Sequence, residues 1–342
     1  MSGTSLDGVD IAACELRQNG KAWSYKIIEA ETVGYPADIY QLLKSSQKLT
    51  GFELAQLNVY YGRFLGQAVK SFIRNTGFAP EYIASHGYTV FHRPKMGVTL
   101  QIGSGAEIAA VTGIKTICDF RTNDVALGGE GAPLVPIGDK LLFGNYAACL
   151  NLGGFSNISF VGEQGRREAF DICPVNFVLN HFAKKTGEPF DKNGELGRSG
   201  QVIANLLKSL NNIEYYSAKP PKSLGREFVE DNVFPLFDGK VSACDALRTF
   251  YEHIAIQISG NIGRYKNSKV LVTGGGAHNG FLIELLKMQT DAEIVVPPQN
   301  IVDYKEALIF AFLGLLRLNG IPNCLSSATG AERDCVGGAV YY

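Results

Sequence analysis

The segment Met1-Ser2-Gly3-Thr4-Ser5-Leu6-Asp7-Gly8-Val9-Asp10 gathers small hydroxyl residues, glycines and two carboxylates into one short stretch. Glycines and hydroxyls let backbone N–H and side-chain O–H groups close around a phosphate. Asp7 and Asp10 add hard oxygen ligands for a phosphate-bound Mg²⁺, directly or through water, with Asp7 the nearer candidate. The apolar run 9–16 reads as a strand, which makes the turn the hinge of a β-hairpin. An ordinary surface turn has the same composition, so the turn gains meaning from its company. Gly153-Gly154-Phe155-Ser156-Asn157 follows a second apolar run, 147–152, and Gly274-Gly275-Gly276-Ala277-His278-Asn279 follows a third, 269–273. A lone glycine triplet is usually a tight strand-to-helix connection. Three glycine-rich turns after strands favour nucleotide binding, although neither G-x-x-x-x-G-K-[ST] nor G-x-G-x-x-G occurs.

A general base needs a carboxylate at a strand end or helix start. Asp171, in Ala169-Phe170-Asp171-Ile172-Cys173-Pro174, has an apolar lead-in and a following Pro that opens a helix. The same spacing fits a helix N-cap, which is the simpler account from spacing alone. Arg121, flanked by Asp119 and Asp124, either clamps a carboxylate bidentately or pairs with one of its neighbours. His86 ends a strand before Gly87, where a structural histidine is the plainer reading. Glu306 reads as a first-turn acid of an apolar helix over 306–318. Cys173 beside Asp171 lacks a nearby His and makes a poor nucleophile. The stretch Lys219-Pro220-Pro221-Lys222-Ser223-Leu224-Gly225-Arg226-Glu227 is polar and rigid, either a lid over substrate or a surface turn.

These residues need a scaffold of alternating strands and helices. Strands are expected over 9–16, 23–32, 82–85, 115–119, 147–152, 158–161 and 269–273. Helical periodicity marks 37–46, 51–76, 105–112, 175–186, 199–211, 245–265, 280–288 and 306–318. The strand, Gly/Ser turn, strand pattern occurs near residue 1 and again near 147, which predicts a duplicated α/β architecture with a boundary near 145. Only Met1 precedes Ser2, so most of the first strand of the N-terminal hairpin is expected to be missing or upstream. The chain has 342 residues, enough for about two domains. A net charge of −1 without a basic run argues against nucleic acid or an anionic membrane as main partner. Seven scattered cysteines without a C-x-x-C pair argue for a reducing compartment rather than a disulfide framework. No leader or membrane-length apolar run is apparent, so the cytoplasm is expected.

Taken together, these segments resemble the anhydro-N-acetylmuramic acid kinases of the actin/Hsp70/hexokinase-type ATPase superfamily. The matching stretches are residues 1–10, Ser85-His86-Gly87 with Thr89, Asp119-Phe120-Arg121, and Asp124-Val125-Ala126 with 128–136. They continue through 151–157, Phe170-Asp171 with Pro174 and Asn176, 222–227 and 272–279. The resemblance implies two ribonuclease-H-like domains around a cleft, here 1–145 and 146–342, with the last helix near their junction, usually as a homodimer. It implies ATP- and Mg²⁺-dependent conversion of 1,6-anhydro-N-acetylmuramic acid to N-acetylmuramic acid 6-phosphate in cell-wall recycling. Asp171 takes the role of base. Gly3, Thr4, Ser5, Asp7, Gly8, Asp10, Gly153, Gly154, Ser156 and Asn157 take phosphates, with Asp7 near Mg²⁺. Gly274, Gly275, Gly276 and Asn279 lie by the adenosine, and His86, Thr89, Arg121 and Glu306 contact the sugar or its lactyl group. The chain departs from the family pattern at Tyr88 (usually Gln), Thr122 and Asn123 (usually Arg), Cys173 and Val175 (usually Gly) and Asn180 (usually Asp). The short start and the altered Cys173–Val175 segment allow an alternative, a catalytically impaired relative that binds nucleotide or muropeptide as a sensor. An actin- or Hsp70-like protein switch is a third reading.

Overall fold

The computed structural model describes residues 1–3, 6–162, 165–220, 222–237 and 239–342. The chain divides into two compact units, one of Met1–Leu142 with Tyr304–Tyr342, the other of Phe143–Asp303. Residues 304–342 therefore leave the expected 146–342 domain and join the first unit. The reason is pairing and packing. The C-terminal strand Ala339–Tyr341 pairs antiparallel with Thr116–Cys118. Phe312 meets Trp23 edge-on at 5.0 Å, and Phe310 meets Phe120 at 5.6 Å.

The first unit opens with a long hairpin, β1 (Val9–Asn19) and β2 (Ala22–Val33), closed at Gly20 with φ +62°. Alternation along β1 buries Val9, Ile11 and Ala13 on one face. Then come β3 (Ile83–Ala84), the hairpin of β4 (Tyr88–Arg93) and β5 (Val98–Ile102), and β6 (Thr116–Cys118), which runs parallel to β3. The helix Gly51–Thr76 starts at a Thr50–Glu53 capping box and stops at Gly77, φ +70°. It buries Leu57, Tyr61, Leu65, Ala68 and Phe72, a stripe at helical spacing, against the hairpin.

The second unit is built on one sheet of β7 (Ala148–Leu152), β8 (Phe155–Val161), β9 (Arg167–Pro174), β10 (Lys269–Thr273) and β11 (Glu293–Val295). Its order is β11-β10-β7-β8-β9, with β7 to β9 an antiparallel meander and β10 and β11 added parallel on the other side. That is the ribonuclease-H-like order, and the protein is of the mixed α/β class. Leu150, Ile158, Val270 and Val272 are fully buried against the helix Ala243–Ile262, whose Phe250, Ile254, Ile258 and Ile262 recur every fourth position. No described helix is long and apolar enough to cross a membrane.

Two expectations about elements change. Asp171 lies within β9 and is no N-cap, because the helix that follows starts at Asn176 with Val175 before it. The last long helix is Gln299–Leu318, so Glu306 stands two turns inside it. Pro297 and Pro298 set that earlier start, which the polar residues after them conceal.

Candidate active site

In the second unit, pairing register gathers the polar groups. Thr273 stands beside Asn151, Asn151 beside Asn157, and Asn157 beside Asp171, a row that crosses four neighbouring strands. Asp171 is held through both backbone and side chain. Its N–H donates to the Lys222 carbonyl (3.2 Å), its carbonyl accepts from Tyr215 Oη (2.7 Å), and its Oδ2 accepts from the Leu224 N–H (2.9 Å). Lys222 Nζ in turn donates to the Tyr215 carbonyl at 3.0 Å and lies over the Tyr215 ring. The polar loop around residue 222 is thus the support of Asp171. Oδ1 accepts no hydrogen bond from the described residues. Burial raises the Asp171 pKa above the ordinary carboxylate range, and the Leu224 N–H opposes part of that rise. A carboxylate that is half-buried, oriented through one oxygen and open at the other is equipped to take a proton from water.

The glycine turns sit against one another. Asn176 N–H donates to the Gly153 carbonyl (3.2 Å) and the Val175 and Phe177 N–H groups to that of Gly154 (2.8 and 3.2 Å). Asn176 Nδ2 adds a bond to the Leu152 carbonyl (3.2 Å). Gly274, at φ +83°, and Gly276 are glycines because Asn151 and Leu152 press on them, and a Cβ at either would strike those residues. Gly154 and Gly275 are exposed, and an added Cβ would meet nothing within 4 Å at Gly154 and only Asn176 Nδ2 at 3.6 Å at Gly275. These two present bare backbone at which a phosphate or sugar can approach closely, so the segment fits a nucleotide.

Two expected contacts point elsewhere. Ser156 is fully buried, its Oγ accepting from the Cys173 N–H and donating to the Cys173 carbonyl. Asn279 caps the helix Gly280–Gln289 through Leu282 N–H (3.1 Å), and its amide donates to Tyr251 Oη (2.6 Å). Both side chains hold the fold. Burial pushes the Cys173 thiol up to about 12, so it is no nucleophile. Cys173 and Val175 are both fully buried, and Val175 has φ −129°, so the residues standing where the family has Gly add apolar core without requiring a left-handed backbone. Asn180 is half-buried within the helix Asn176–Lys184.

In the first unit, His86 is buried between a backbone and a cation. Its Nδ1 faces the Gly87 carbonyl (2.9 Å) and its Nε2 accepts from Arg121 Nε (3.0 Å), an arrangement that fixes the proton on Nδ1. Burial, reinforced by Arg121, lowers the His86 pKa to about 3, so the ring is neutral. Arg121 also donates to the Gly131 carbonyl at 2.6 Å. It pairs with neither flanking aspartate. Asp119 accepts from Thr122, and Asp124 is buried, accepting from Gly131 N–H (2.7 Å), Thr329 Oγ1 (2.8 Å) and Cys324 Sγ (3.0 Å). Asp124 therefore shapes the 128–133 loop that Arg121 touches.

Glu306 is reachable by solvent yet crowded by protein, which raises its pKa against the pull of Arg121 and Lys305. Asp10 accepts from Thr32 Oγ1 (2.7 Å), and its backbone is paired to Met1. Gly8, at φ +153°, is buried under Thr32 and Val33, where a Cβ would come within 2.8 Å. Asp7 is exposed at the turn, available to a metal-bound water, and Gly3 is half-buried. Thr4 and Ser5 lie outside the described residues. Thr89, on β4, accepts from Gln101 at 3.4 Å and has no described contact with His86 or Arg121. Tyr88 is buried, whereas Asn123 and Thr122 lie on a short surface helix, Asn123 bonded to the Val336 carbonyl (3.3 Å). The sequence offers no signal for Tyr215 or for the Leu224 N–H, since neither lies near Asp171 along the chain.

A family model described as anhydro-N-acetylmuramic acid kinase matches residues 1–342. The chain belongs to that family. Among relatives so named, the protein of Vibrio cholerae is 34% identical over 364 residues, covering 100% of this chain and 97% of its own. That of Caldanaerobacter subterraneus subsp. tengcongensis is 33% identical, covering 99% and 95%. Solved structures are more distant. A ROK family glucokinase from Streptomyces griseus in complex with glucose and AMPPNP gives a TM-score of 0.38 at 13% identity, covering 88% of this chain and 97% of its own. Family membership thus rests on the full-length matches to anhydro-N-acetylmuramic acid kinases.

Proposed function

We propose that this protein is an ATP-dependent kinase that opens 1,6-anhydro-N-acetylmuramic acid with water and phosphorylates O6, giving N-acetylmuramic acid 6-phosphate for cell-wall recycling. Membership of the kinase family along the whole chain supports this, and Asp171 is the observation in the structure that carries it. Asp171 Oδ1 takes a proton from the water that attacks the anomeric carbon. Oδ2, fixed by Leu224, keeps the carboxylate aimed during that transfer. The C1–O6 bond of the bridge breaks as the C1–OH bond forms, and O6 receives the terminal phosphoryl group of ATP. Such a transfer asks the protein chiefly for positioning and charge neutralisation.

The exposed backbone of Gly154 and Gly275 supports a role in nucleotide binding, with Gly153, Gly274 and Gly276 setting the turns. Asp7, with Asp10 behind it, is assigned to Mg²⁺ through water; the ion would supply charge neutralisation at the phosphates. Arg121, with its orientation held by His86 and Gly131, is assigned to the substrate carboxylate. Glu306 and Thr89 are assigned to hydroxyl or amide groups of the sugar. We also assign the protein to the cytoplasm as a homodimer, following the family resemblance. No observation favours the sensor reading.

The test is ADP release by the purified chain with and without 1,6-anhydro-N-acetylmuramic acid. Sugar-dependent release with a 6-phosphate product is expected. ADP release indifferent to the sugar would refute the assignment.

A further inference from the structure

Two of the scattered cysteines meet in the first unit. Cys324 and Cys335 stand opposite one another in an antiparallel bridge, each N–H donating to the other's carbonyl at 3.2 Å. Residues opposed in this way send their side chains to the same face. Asp124, two hundred residues before Cys324, meets them there. One of its carboxylate oxygens and the two Sγ atoms all lie within 4.8 Å of one another, and all three residues are buried.

Other bonds fix both sides of this cluster. At one end of the bridge, Asn323 Nδ2 donates to the Gly337 carbonyl (2.9 Å) and its Oδ1 accepts from the Gly337 N–H (2.7 Å). At the other, Asp334 Oδ1 accepts from the N–H and Oγ of Ser326, both at 2.8 Å. Gly131 N–H holds Asp124 at Oδ2, and Oδ1 accepts from the Cys324 thiol. The two segments are laced together by Glu130 N–H to the Thr329 carbonyl (2.8 Å) and Glu332 N–H to the Leu127 carbonyl (3.0 Å). Side chains ordered in advance lose little freedom when a ligand arrives.

Among the described residues no cation bonds Asp124. It is fully buried, and the groups that donate to its carboxylate, Gly131 N–H, Thr329 Oγ1 and Cys324 Sγ, are all uncharged. Buried carboxylates are generally paired with a positive charge or coordinate a metal. Arg121 acts on Asp124 only through space, its own bonds going to His86 and Gly131.

We propose that Asp124, Cys324 and Cys335 bind one Zn²⁺ ion, which ties the 324–335 segment to the 124–131 loop. Zn²⁺ takes thiolate and carboxylate together in a tetrahedron, whereas Mg²⁺ and Ca²⁺ demand oxygen. Bonds of ~2.3 Å to sulfur and ~2.0–2.2 Å to oxygen set tetrahedral ligand atoms ~3.5–3.8 Å apart. The 3.0 Å contact between Cys324 Sγ and Asp124 Oδ1 and the 4.8 Å outer limit bracket that spacing, so small side-chain rotations suffice. Thr329 Oγ1, 2.8 Å from Asp124 Oδ1, is an oxygen donor for the fourth position. On binding, each thiol gives its proton to solvent and an electron pair to the ion, so two protons leave per Zn²⁺. A dication with two thiolates and one carboxylate leaves a single negative charge, and Arg121 is the positive charge that faces it.

The test loads the reduced full-length chain with Zn²⁺, removes the excess by gel filtration and measures metal per chain. About one zinc is expected, as for a single tetrahedral site. Zinc affinity should fall at least about tenfold in Cys335→Ser, the loss that even an outer-shell change brings. It should not change in Cys244→Ser, whose thiol lies outside the cluster. X-ray absorption at the zinc edge of the loaded parent should show two sulfurs at ~2.3 Å and oxygens at ~2.0–2.2 Å, a readout that stands if Cys335→Ser fails to fold. No zinc on the reduced parent, equal zinc on Cys335→Ser, or a coordination shell without sulfur would overturn the site. A loss of two hydrogens from the Cys324–Cys335 pair that persists under reductant would assign the pair to a disulfide and overturn it as well. Each readout is independent of catalysis.

Discussion

Asp171 holds its position through the Tyr215 hydroxyl and the Leu224 N–H, supplied some fifty residues away, which explains both its chemistry and its poor legibility. Its residue type and apolar lead-in single it out from the sequence, but its setting comes from long-range contacts that no local spacing encodes. Replacing Asp171 by Asn is expected to lower kcat about 10²–10⁴-fold while leaving nucleotide affinity near normal, measured by ADP release and by binding of a non-hydrolysable ATP analogue. Comparable turnover would remove Asp171 from the mechanism. The raised pKa also sets a sign. Between the unfolded and folded pKa values the native state binds the extra proton, so stability falls as pH rises through that window. Asp171→Asn removes this effect and should equal or exceed the parent in Tm at pH 8, a combination of lost activity and retained fold that marks a functional carboxylate. The acid limb of kcat/KM should lie above the ordinary carboxylate range in the parent. At Ser156 and Asn279, hydroxyl and amide in a glycine-rich turn suggest ligand contacts, whereas both side chains turn inward to bond the fold. Residue type in a turn identifies the turn, while side-chain direction depends on strand parity and on partners elsewhere.

At the scale of elements, the glycine turns separate positions that serve packing from positions that face outward. Gly274→Ala should cost about 1–3 kcal/mol, since φ +83° and contact with Leu152 both oppose a side chain. Gly154→Ala should leave Tm within about 1 °C yet raise the KM for ATP, because its Cβ enters open space where backbone would meet phosphate. Thermal melts and ATP titrations of the two variants check the pair together. The elements with strong periodicity were legible: the stripe Leu57, Tyr61, Leu65, Ala68, Phe72 predicts the helix that the Thr50–Glu53 box begins. β9 was obscured by Arg167 and Glu168 at its start, with Arg167 buried through bonds to Ser159 Oγ and carbonyl. Buried arginine on the edge strand of the meander defeats a reading based on hydrophobic alternation. The start of the last helix was hidden likewise by polar residues, among them Lys305, which is buried in an ion pair with Asp139 at 2.7 Å. Lys305→Met should destabilise by about 3–5 kcal/mol by stranding that carboxylate, and adding Asp139→Leu should restore much of the loss, both read from denaturant melts.

At the scale of the molecule, the sequence pattern predicts two α/β halves with the end of the chain in the second, whereas residues 304–342 group with the first unit. The repeated strand-turn-strand segments mark two α/β halves, whereas the return of residues 304–342 depends on pairing between Ala339–Tyr341 and β6, more than two hundred residues apart. Long-range ladders of three residues leave no periodic trace. Deleting residues 339–342 should lower the Tm of the first unit and speed amide exchange in β6, while β7 and β10 keep their protection, measured by hydrogen exchange across the chain. The same return has a consequence in time. A ribosome delivers Met1–Leu142 before the second unit, yet the final partners of the first unit emerge only after all of Phe143–Asp303 has been made. At ordinary synthesis rates this interval is on the order of ten seconds. The contiguous second unit can complete its fold while the first still waits, so Met1–Leu142, made before it, becomes native after it.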